Sequence, residues 1–257
     1  MSEAAPILET RGLTIRFGGQ AAVDNVSCAF HRGTLTAIVG PNGAGKTTYF
    51  NLISGQLRAT SGEVLLRGAR ITGLSAPLRA RRGLGRAFQL TNLFPDLSVL
   101  ENVRLAVQAR AGIGLHILGM AASHTELVDR AWGFLERVQL AQRAAGAAAE
   151  LNHGDQRKLE VAILLALEPA IFMFDEPTAG MSVDEVPVVL DLIEAIRAEG
   201  QKTILLVEHK MEVVRRLADR VIVLHQGALV ADGPPAEVVA SPLVQEAYLG
   251  IRPDAHA

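Results

Sequence analysis

The chain has 257 residues, 49% of them hydrophobic, so it can bury the core of one large or two small domains. A formal net charge of -2, without a long run of like charges, argues against a nucleic-acid arm and a polybasic membrane anchor. The single cysteine, Cys28, excludes an internal disulfide and a zinc site built on cysteines. We find neither a secretory signal nor an apolar run long enough to span a bilayer, and therefore expect a cytoplasmic protein.

The first third of the chain predicts several strands and one helix. ILETRGLTIRF and NVSCAF alternate between apolar and polar residues, whereas LTAIVG is continuously apolar, as in a strand buried on both faces. The helix-like run GKTTYFNLISG follows LTAIVG directly, and EVLLRG and GLGRAF predict further strands. Strands interleaved with helices are typical of an α/β protein.

The middle of the chain changes character. From about Ser98 to Glu150 it is alanine-rich with few strand signals, which indicates a helical subdomain inserted into the α/β core. Strands and helices alternate again from Ala170, with strands predicted at AIFMFD, TILLVE, RVIVLHQG and ALVADG. Between the first two of these strands we expect a helix from about Asp184, with Pro187 in its first turn.

The stretch GPNGAGKTT matches the pattern G-x-x-x-x-G-K-[ST] and lies between a predicted buried strand and a helix. Backbone N–H groups of such a loop surround a β-phosphate, Lys46 would reach the β and γ oxygens, and the Thr47 hydroxyl would bind Mg²⁺. The alternative is a glycine-rich turn with a solvated lysine. The predicted nucleotide-binding residues are Gly40, Pro41, Asn42, Gly43, Ala44, Gly45, Lys46, Thr47 and Thr48.

Three polar residues follow two later predicted strands. Asp175 and Glu176 end the run AIFMFDEP, at the edge where parallel sheets bind ligands. Asp175 would hold Mg²⁺ through water, and Glu176 would polarise the attacking water. His209 follows TILLVE, where its imidazole could sense a γ-phosphate or have only a structural role. Carboxylates after a strand are common by chance, and the phosphate loop upstream favours a catalytic pair.

The stretch ELNHGDQRKLEVAILL has two interpretations. Asn152 can cap a helix, with Asp155 as the acidic partner of a capping box. A polar, glycine-containing helix start is also an anion site, because its backbone N–H groups are free to meet a phosphate. The residues of this stretch alone leave both interpretations open.

These motifs resemble the ATP-binding subunits of ABC transporters over nearly the whole chain. The resemblance implies ATP hydrolysis with Mg²⁺ and an α/β P-loop NTPase core, preceded by an antiparallel β subdomain, in a single domain over residues 1–257 with a helical subdomain at 98–165. It makes GPNGAGKTT the Walker A loop, Asp175 and Glu176 the Walker B pair, and His209 the switch histidine. Gln89 in AFQLTNLF is then the Q-loop glutamine, a catalytic residue and Mg²⁺ ligand.

The resemblance also makes residues 151–156 the signature loop, in which Asn152, His153 and Gly154 approach the ATP of the opposite subunit in a dimer. Asn152, His153 and Asp155 depart from the family pattern L-S-G-G-Q. Asn152 can still donate to a phosphate and Gly154 allows close approach, but Asp155 brings a negative charge unless its carboxylate turns away. Ala179 to Ser182 read AGMS where S-A-L-D is usual, so the usual aspartate contact across the dimer is not assumed.

Phe17 follows the first predicted strand and corresponds to the aromatic residue on which adenine stacks in the family. The alternative is a core aromatic at a strand end. Stacking accepts any purine, so only the resemblance distinguishes ATP from GTP.

More narrowly, RFGGQAAVDNVS, DEPTAGM and LVEHKMEVVRRLADRVIVLHQGALVADG resemble the ATPases of branched-chain amino acid importers. This implies an ATPase dimer, either homodimeric or with a related ATPase, and transmembrane permease subunits on the inner face of the membrane. A solute-binding protein would take part indirectly, without nucleic acid. The alternatives are urea or amide import, lipopolysaccharide export, a soluble ABC-type ATPase and a small-molecule P-loop kinase.

The apolar run AGIGLHILGMAA, residues 111–122, is a candidate docking segment for the membrane subunits. Alternatively, its isoleucines and leucines pack inside the helical subdomain.

Overall fold

A computed structural model describes residues 5–87, 93–113, 120–241 and 244, with the backbone alone at 120–124. Its strands and helices are, in chain order, β1 (Leu8–Phe17), β2 (Gln20–Phe30), β3 (Leu35–Val39), α1 (Lys46–Ser54), β4 (Ser61–Leu66), β5 (Ala69–Arg70), α2 (Ala76–Arg81), β6 (Leu84–Ala87), α3 (Val99–Ala111), α4 (Met120–Arg137), α5 (His153–Ala166), β7 (Ile171–Asp175), α6 (Val186–Ala198), β8 (Thr203–Val207), α7 (Met211–Leu217), β9 (Arg220–His225), β10 (Ala228–Gly233) and α8 (Pro235–Ala240).

The strands form two sheets. One has the order β2-β1-β4-β5 with antiparallel pairing, as the amino-terminal β subdomain requires. The other has the order β10-β9-β3-β8-β7-β6, in which all pairs are parallel except β9 with the edge strand β10. Every residue of β3, β7 and β8 is buried, as their continuous apolar sequences predict for strands covered on both faces. The predicted α/β fold with an antiparallel subdomain is confirmed.

The strand order places three loops next to each other at one edge of the parallel sheet. β8 lies between β3 and β7, and the register pairs Ile38 with Val207 and Val207 with Asp175. Because all three strands run in the same direction, the segments that follow them emerge at the same edge. The phosphate loop, the carboxylate pair and His209 are thereby brought together from distant parts of the sequence.

The segment expected to be helical, residues 98–165, contains α3, α4 and α5. Ser98 caps α3 by accepting a hydrogen bond from the backbone N–H of Glu101 at 3.1 Å. Leucines, valines and alanines of the three helices share one buried cluster with β7 and β8. Among the described residues, no helix is both long and apolar enough to cross a membrane.

The helix expected from about Asp184 begins two residues later, at Val186, with Pro187 in its first turn. The carboxylate of Glu185 accepts hydrogen bonds from the backbone N–H and the hydroxyl of Ser182, at 3.1 and 2.9 Å. These bonds hold a turn ahead of the helix, which therefore begins two residues after Asp184.

Arg79 is a fully buried arginine that fixes the end of α1. Its guanidinium donates to four carbonyl oxygens at 2.6 to 3.0 Å, those of Leu52, Ile53, Thr72 and Leu74. No carboxylate among the described residues pairs with it, and burial lowers its pKa to about 10. The side chain therefore ties the helix that follows the phosphate loop to the chain between β5 and α2.

We expect Arg79→Met to lower the free energy of unfolding by about 3 kcal/mol, because four carbonyl oxygens, two of them in buried and two in partly buried hydrogen bonds, lose their donor. Arg81→Met, on the exposed side of the same helix, is the matched control and should change the stability by less than about 0.5 kcal/mol. Urea unfolding of both variants measures the difference. Equal stability of the two variants would contradict this role of Arg79.

Candidate active site

The loop from Gly40 to Thr48 connects β3 to α1 and places its backbone against two other segments. Gly40 and Gly45 have φ angles of 152° and 95°. A Cβ atom at Gly45 would collide with the carbonyl oxygen of Ala22, and one at Gly40 with that of Leu224. Gly43 has a φ angle of 78° but open space around it. Two glycines are thus required by packing as well as by backbone conformation.

The first turn of α1 faces this loop without a side-chain cap and without an acidic residue. Its backbone N–H groups are therefore not capped by a side chain of the helix itself and can meet an anion. Lys46, the first residue of the helix, donates hydrogen bonds to the carbonyl oxygens of Gly40 at 2.7 Å and Pro41 at 3.0 Å. Burial lowers the pKa of Lys46, and the charges of Glu176 and Asp175 oppose that shift.

Asp175 is the last residue of β7 and is buried at the edge of the sheet. Its Oδ2 accepts a hydrogen bond from Arg86 at 2.7 Å, while its buried Oδ1 has no partner among the described residues. Burial raises the pKa of Asp175, and the Arg86 guanidinium opposes that shift. A buried carboxylate oxygen without a partner suits a hard cation or its coordinated water.

These residues fit a Mg²⁺ ion that is completed by phosphate oxygens. Within the described part of the chain, no group of three or more His, Cys, Asp and Glu side chains could hold a metal. Mg²⁺ typically uses one or two protein ligands together with substrate phosphates and water, rather than a complete protein cage. Asp175 and the Thr47 hydroxyl would supply such a partial ligand set.

Arg86, on β6, is a site residue that the sequence analysis missed. Besides Asp175, its guanidinium bonds Asn51 and Ser54 of α1 at 2.6 and 2.8 Å and lies 5.0 Å from the ring centroid of Phe50. It therefore fixes one carboxylate oxygen of Asp175 and leaves the other without a hydrogen bond from the described residues. A charged residue inside the otherwise apolar run GLGRAF was the available signal.

Glu176 and His209 approach each other across the gap between the segments that follow β7 and β8. Glu176 Oε1 lies 3.9 Å from His209 Nδ1, and both side chains are partly exposed. Glu176 has a φ angle of 49°, uncommon outside glycine, and its N–H donates to the Val207 carbonyl at 2.9 Å. Such backbone conformations are concentrated at functional sites.

The predicted signature residues start helix α5. Asn152 caps it by accepting from the backbone N–H of Asp155 at 2.8 Å, which confirms the capping role predicted for Asn152. The Asp155 carboxylate pairs with Lys158 at 2.8 Å, which partly offsets its charge. A Cβ at Gly154 would meet the Glu185 carboxylate, the end of a flexible side chain that would have to move.

Of two further residues predicted for the site, the structure describes Phe17 and does not describe Gln89. Phe17 is 55% exposed at the end of β1, so the alternative of a core aromatic is wrong. Gln89 lies outside the described residues, as do residues 114–119 of the apolar run.

The family model described as ABC transporter matches residues 23–179, and the chain therefore belongs to the ABC transporter ATP-binding family. A second model, Branched-chain amino acid ATP-binding cassette transporter, matches residues 228–252. The chain is 40% identical to the high-affinity branched-chain amino acid transport ATP-binding protein LivG of Salmonella typhimurium over 95% of this chain and 98% of that protein. It is 38% identical to BraF of Pseudomonas aeruginosa, with the same description, over 95% and 98%. The resemblance to ABC transporter ATP-binding subunits and the narrower resemblance to the ATPases of branched-chain amino acid importers are both confirmed.

Solved structures support the assignment of the chain to this family. A nucleotide-free ATP-binding cassette from an ABC transporter superimposes with a TM-score of 0.80 at 27% identity, over 95% of this chain and 99% of that chain. A cassette bound to ADP and phosphate, described as dimeric in a post-hydrolysis state, gives a TM-score of 0.75 at 26% identity, over 89% and 98%.

Proposed function

We propose that this chain hydrolyses MgATP to power import of a small polar solute, with branched-chain or related amino acids as the cargo. The observation that carries the ATPase proposal is the convergence of Lys46, the Asp175–Glu176 pair and His209 at the ends of three adjacent parallel strands. The cargo is supported by the match at residues 228–252 and by the descriptions of LivG and BraF.

The phosphates of ATP would lie on the loop Gly40 to Thr48, in front of the first turn of α1. Lys46 would exchange its two carbonyl partners for β- and γ-phosphate oxygens, a short movement for a flexible side chain. Thr47, Gln89 and the unpaired Oδ1 of Asp175 would hold Mg²⁺, which would neutralise part of the charge of the phosphates.

Glu176 would accept a hydrogen bond from the attacking water and orient it in line with the γ-phosphate. His209, 3.9 Å from that carboxylate, would donate to a γ-phosphate oxygen and hold the two groups together. Phe17, exposed at the end of β1, would stack on adenine.

The complete site would require two ATPase subunits, either two copies of this chain or one copy with a related ATPase. Asn152, His153 and Gly154 would then face the γ-phosphate bound to the other subunit. A dimeric cassette with ADP and phosphate among the similar structures supports this arrangement. The dimer would sit peripherally on permease subunits at the inner face of the membrane, and a solute-binding protein would contact those subunits.

The proposal is tested by purifying the chain with its copurifying membrane subunits and reconstituting the complex in vesicles. We expect leucine uptake that requires ATP on the ATPase side, and leucine-stimulated hydrolysis when the binding protein is added. Stimulation by urea, amides or lipopolysaccharide instead would replace the cargo and retain the ATPase. Hydrolysis without any membrane partner in the purified complex would favour a soluble ABC-type ATPase.

Lys46→Ala should weaken ATP binding by about 10-fold or more, because charge-assisted bonds to the β and γ oxygens are lost. Equilibrium binding of a fluorescent ATP analogue measures this affinity. Lys202→Ala is the matched control, because Lys202 lies at the opposite end of β8 and contacts the Pro169 carbonyl at 3.5 Å. Unchanged ATP affinity in Lys46→Ala would contradict the assignment of the loop.

A further inference from the structure

Glu208 is a fully buried carboxylate directly after β8, with 0% of its surface exposed. It lies between the catalytic loops, next to His209 in the sequence, and none of the steps above uses it. Among the described residues, no lysine, arginine or histidine side chain forms an ion pair with it. Burial of a carboxylate is costly unless hydrogen bonds replace the lost water.

Three hydrogen bonds surround the Glu208 carboxylate. Oε1 accepts from the hydroxyl of Thr178 at 2.9 Å, and Oε2 accepts from the backbone N–H groups of His209 at 3.1 Å and Lys210 at 3.3 Å. Thr178 is itself buried, at 1% exposure, two residues after Glu176. The backbone N–H of Glu208 donates to the Ile38 carbonyl on β3 at 3.3 Å.

The two carboxylate oxygens therefore bond to two different segments. Oε1 holds the segment that contains Glu176, and Oε2 holds the backbone of the segment that contains His209. One buried side chain thus connects the two segments through three hydrogen bonds. The side chains of Glu176 and His209, which lie 3.9 Å apart, belong to these two segments.

We propose that Glu208 is a positioning residue that fixes the water-orienting Glu176 and the phosphate-sensing His209 relative to each other. This inference rests on the proposed ATPase function. Glu208 acts through the Thr178 hydroxyl and the His209 backbone, without contact to the nucleotide. A displacement of about 1 Å in a catalytic group can reduce turnover by about 100-fold, so a rigid link between the two segments has a large effect on the chemical step.

The test compares Glu208→Leu, Glu208→Gln and Thr178→Val with the wild type in steady-state ATP hydrolysis. We expect Glu208→Leu to lower kcat by about 10- to 100-fold while the KM for ATP changes by less than about threefold. Glu208→Gln should stay within about threefold of the wild-type kcat, because its amide oxygen can accept from both N–H groups and its amide N–H can donate to Thr178. Glu212→Leu, on the exposed face of α7, is the matched control.

Thr178→Val keeps the size of the side chain, removes the hydroxyl and keeps the proposal testable if Glu208→Leu does not fold. It should lower kcat in the same direction, and the double variant Thr178→Val with Glu208→Leu should be no slower than Glu208→Leu alone. Wild-type kcat in Thr178→Val and in Glu208→Leu would overturn the inference and leave the proposed ATPase intact. A fall in ATP affinity that matches the fall in kcat/KM, without rescue in the Glu208→Gln variant, would also overturn it. No hydrolysis by the wild-type complex would overturn the proposed function itself.

Discussion

Glu176→Gln should bind ATP with nearly wild-type affinity and lose about 100- to 1,000-fold in turnover. The amide has the size of the carboxylate but cannot accept a proton from the attacking water or attract it with a full charge. Because the ground state with bound ATP is unaffected, ATP should remain on the enzyme and the ATP-bound dimer should accumulate. Single-turnover hydrolysis and size-exclusion chromatography with ATP measure these two effects.

The control for this experiment is Glu212→Gln, which makes the same chemical change on the exposed face of α7. It should leave turnover within about twofold of wild type, as expected for an exposed position away from the site. Near-normal hydrolysis by Glu176→Gln would remove Glu176 from the water-orienting role, whatever the behaviour of Lys46→Ala.

The second large effect is expected at Gly45, the residue that precedes α1. Gly45→Ala should lower the free energy of unfolding of the nucleotide-free protein by about 3 kcal/mol, because backbone strain adds to a collision with the carbonyl of Ala22. The collision is between a Cβ, whose position is fixed by its own backbone, and a backbone carbonyl oxygen, so it cannot be relieved by a side-chain rotation. We expect nucleotide binding to be lost together with stability.

Gly43→Ala separates strain from collision. Gly43 has a positive φ angle of 78°, but a Cβ there meets nothing within 4 Å. The cost should therefore be about 1 kcal/mol, the strain alone. Urea unfolding of both variants without nucleotide gives the comparison. Equal losses at Gly43 and Gly45 would show that the close approach to Ala22 does not constrain the loop.

The features that were predicted correctly from the sequence are those determined by residues within one short stretch of the chain. The run LTAIVG followed by GPNGAGKTT predicts a buried strand, a loop and a helix, and β3 and α1 follow that order. Likewise, the apolar run ending at Asp175 is β7, which delivers the carboxylate to the sheet edge. In both cases the strand pattern and the polar residue that ends it are adjacent.

The features that were missed depend on contacts between distant segments. Arg86 and Asp175 are brought together because β6 and β7 pair in the sheet, and Thr178 reaches Glu208 because β7 and β8 pair. Neither pairing can be read from residues near Arg86 or Glu208. Strand order is a long-range property, since any parallel neighbour is joined by a crossover of many residues.

The signature region shows a third case, in which a local rule was correct but incomplete. Asn152 caps α5 as its residue type predicts. Gly154 also lies against the carboxylate of Glu185, which holds the turn at Ser182. A Gly154→Asp variant would thus disturb a contact within one subunit before any contact with the partner's nucleotide. Dimerisation assays on that variant need Glu185→Ala as a companion, because this change relieves the collision.

Arg79 has a consequence for the nucleotide as well as for stability. The peptide dipoles of α1 sum to partial positive charge at the phosphate loop and partial negative charge at its last carbonyl groups, which include those of Leu52 and Ile53. The Arg79 guanidinium neutralises that negative pole permanently, whether or not a nucleotide is bound. The pole at the other end, about 13 Å away along the axis, then attracts phosphate without an opposing field from its own helix. Arg79, at the carboxyl-terminal end of α1, thereby contributes to anion affinity at the amino-terminal end of the same helix.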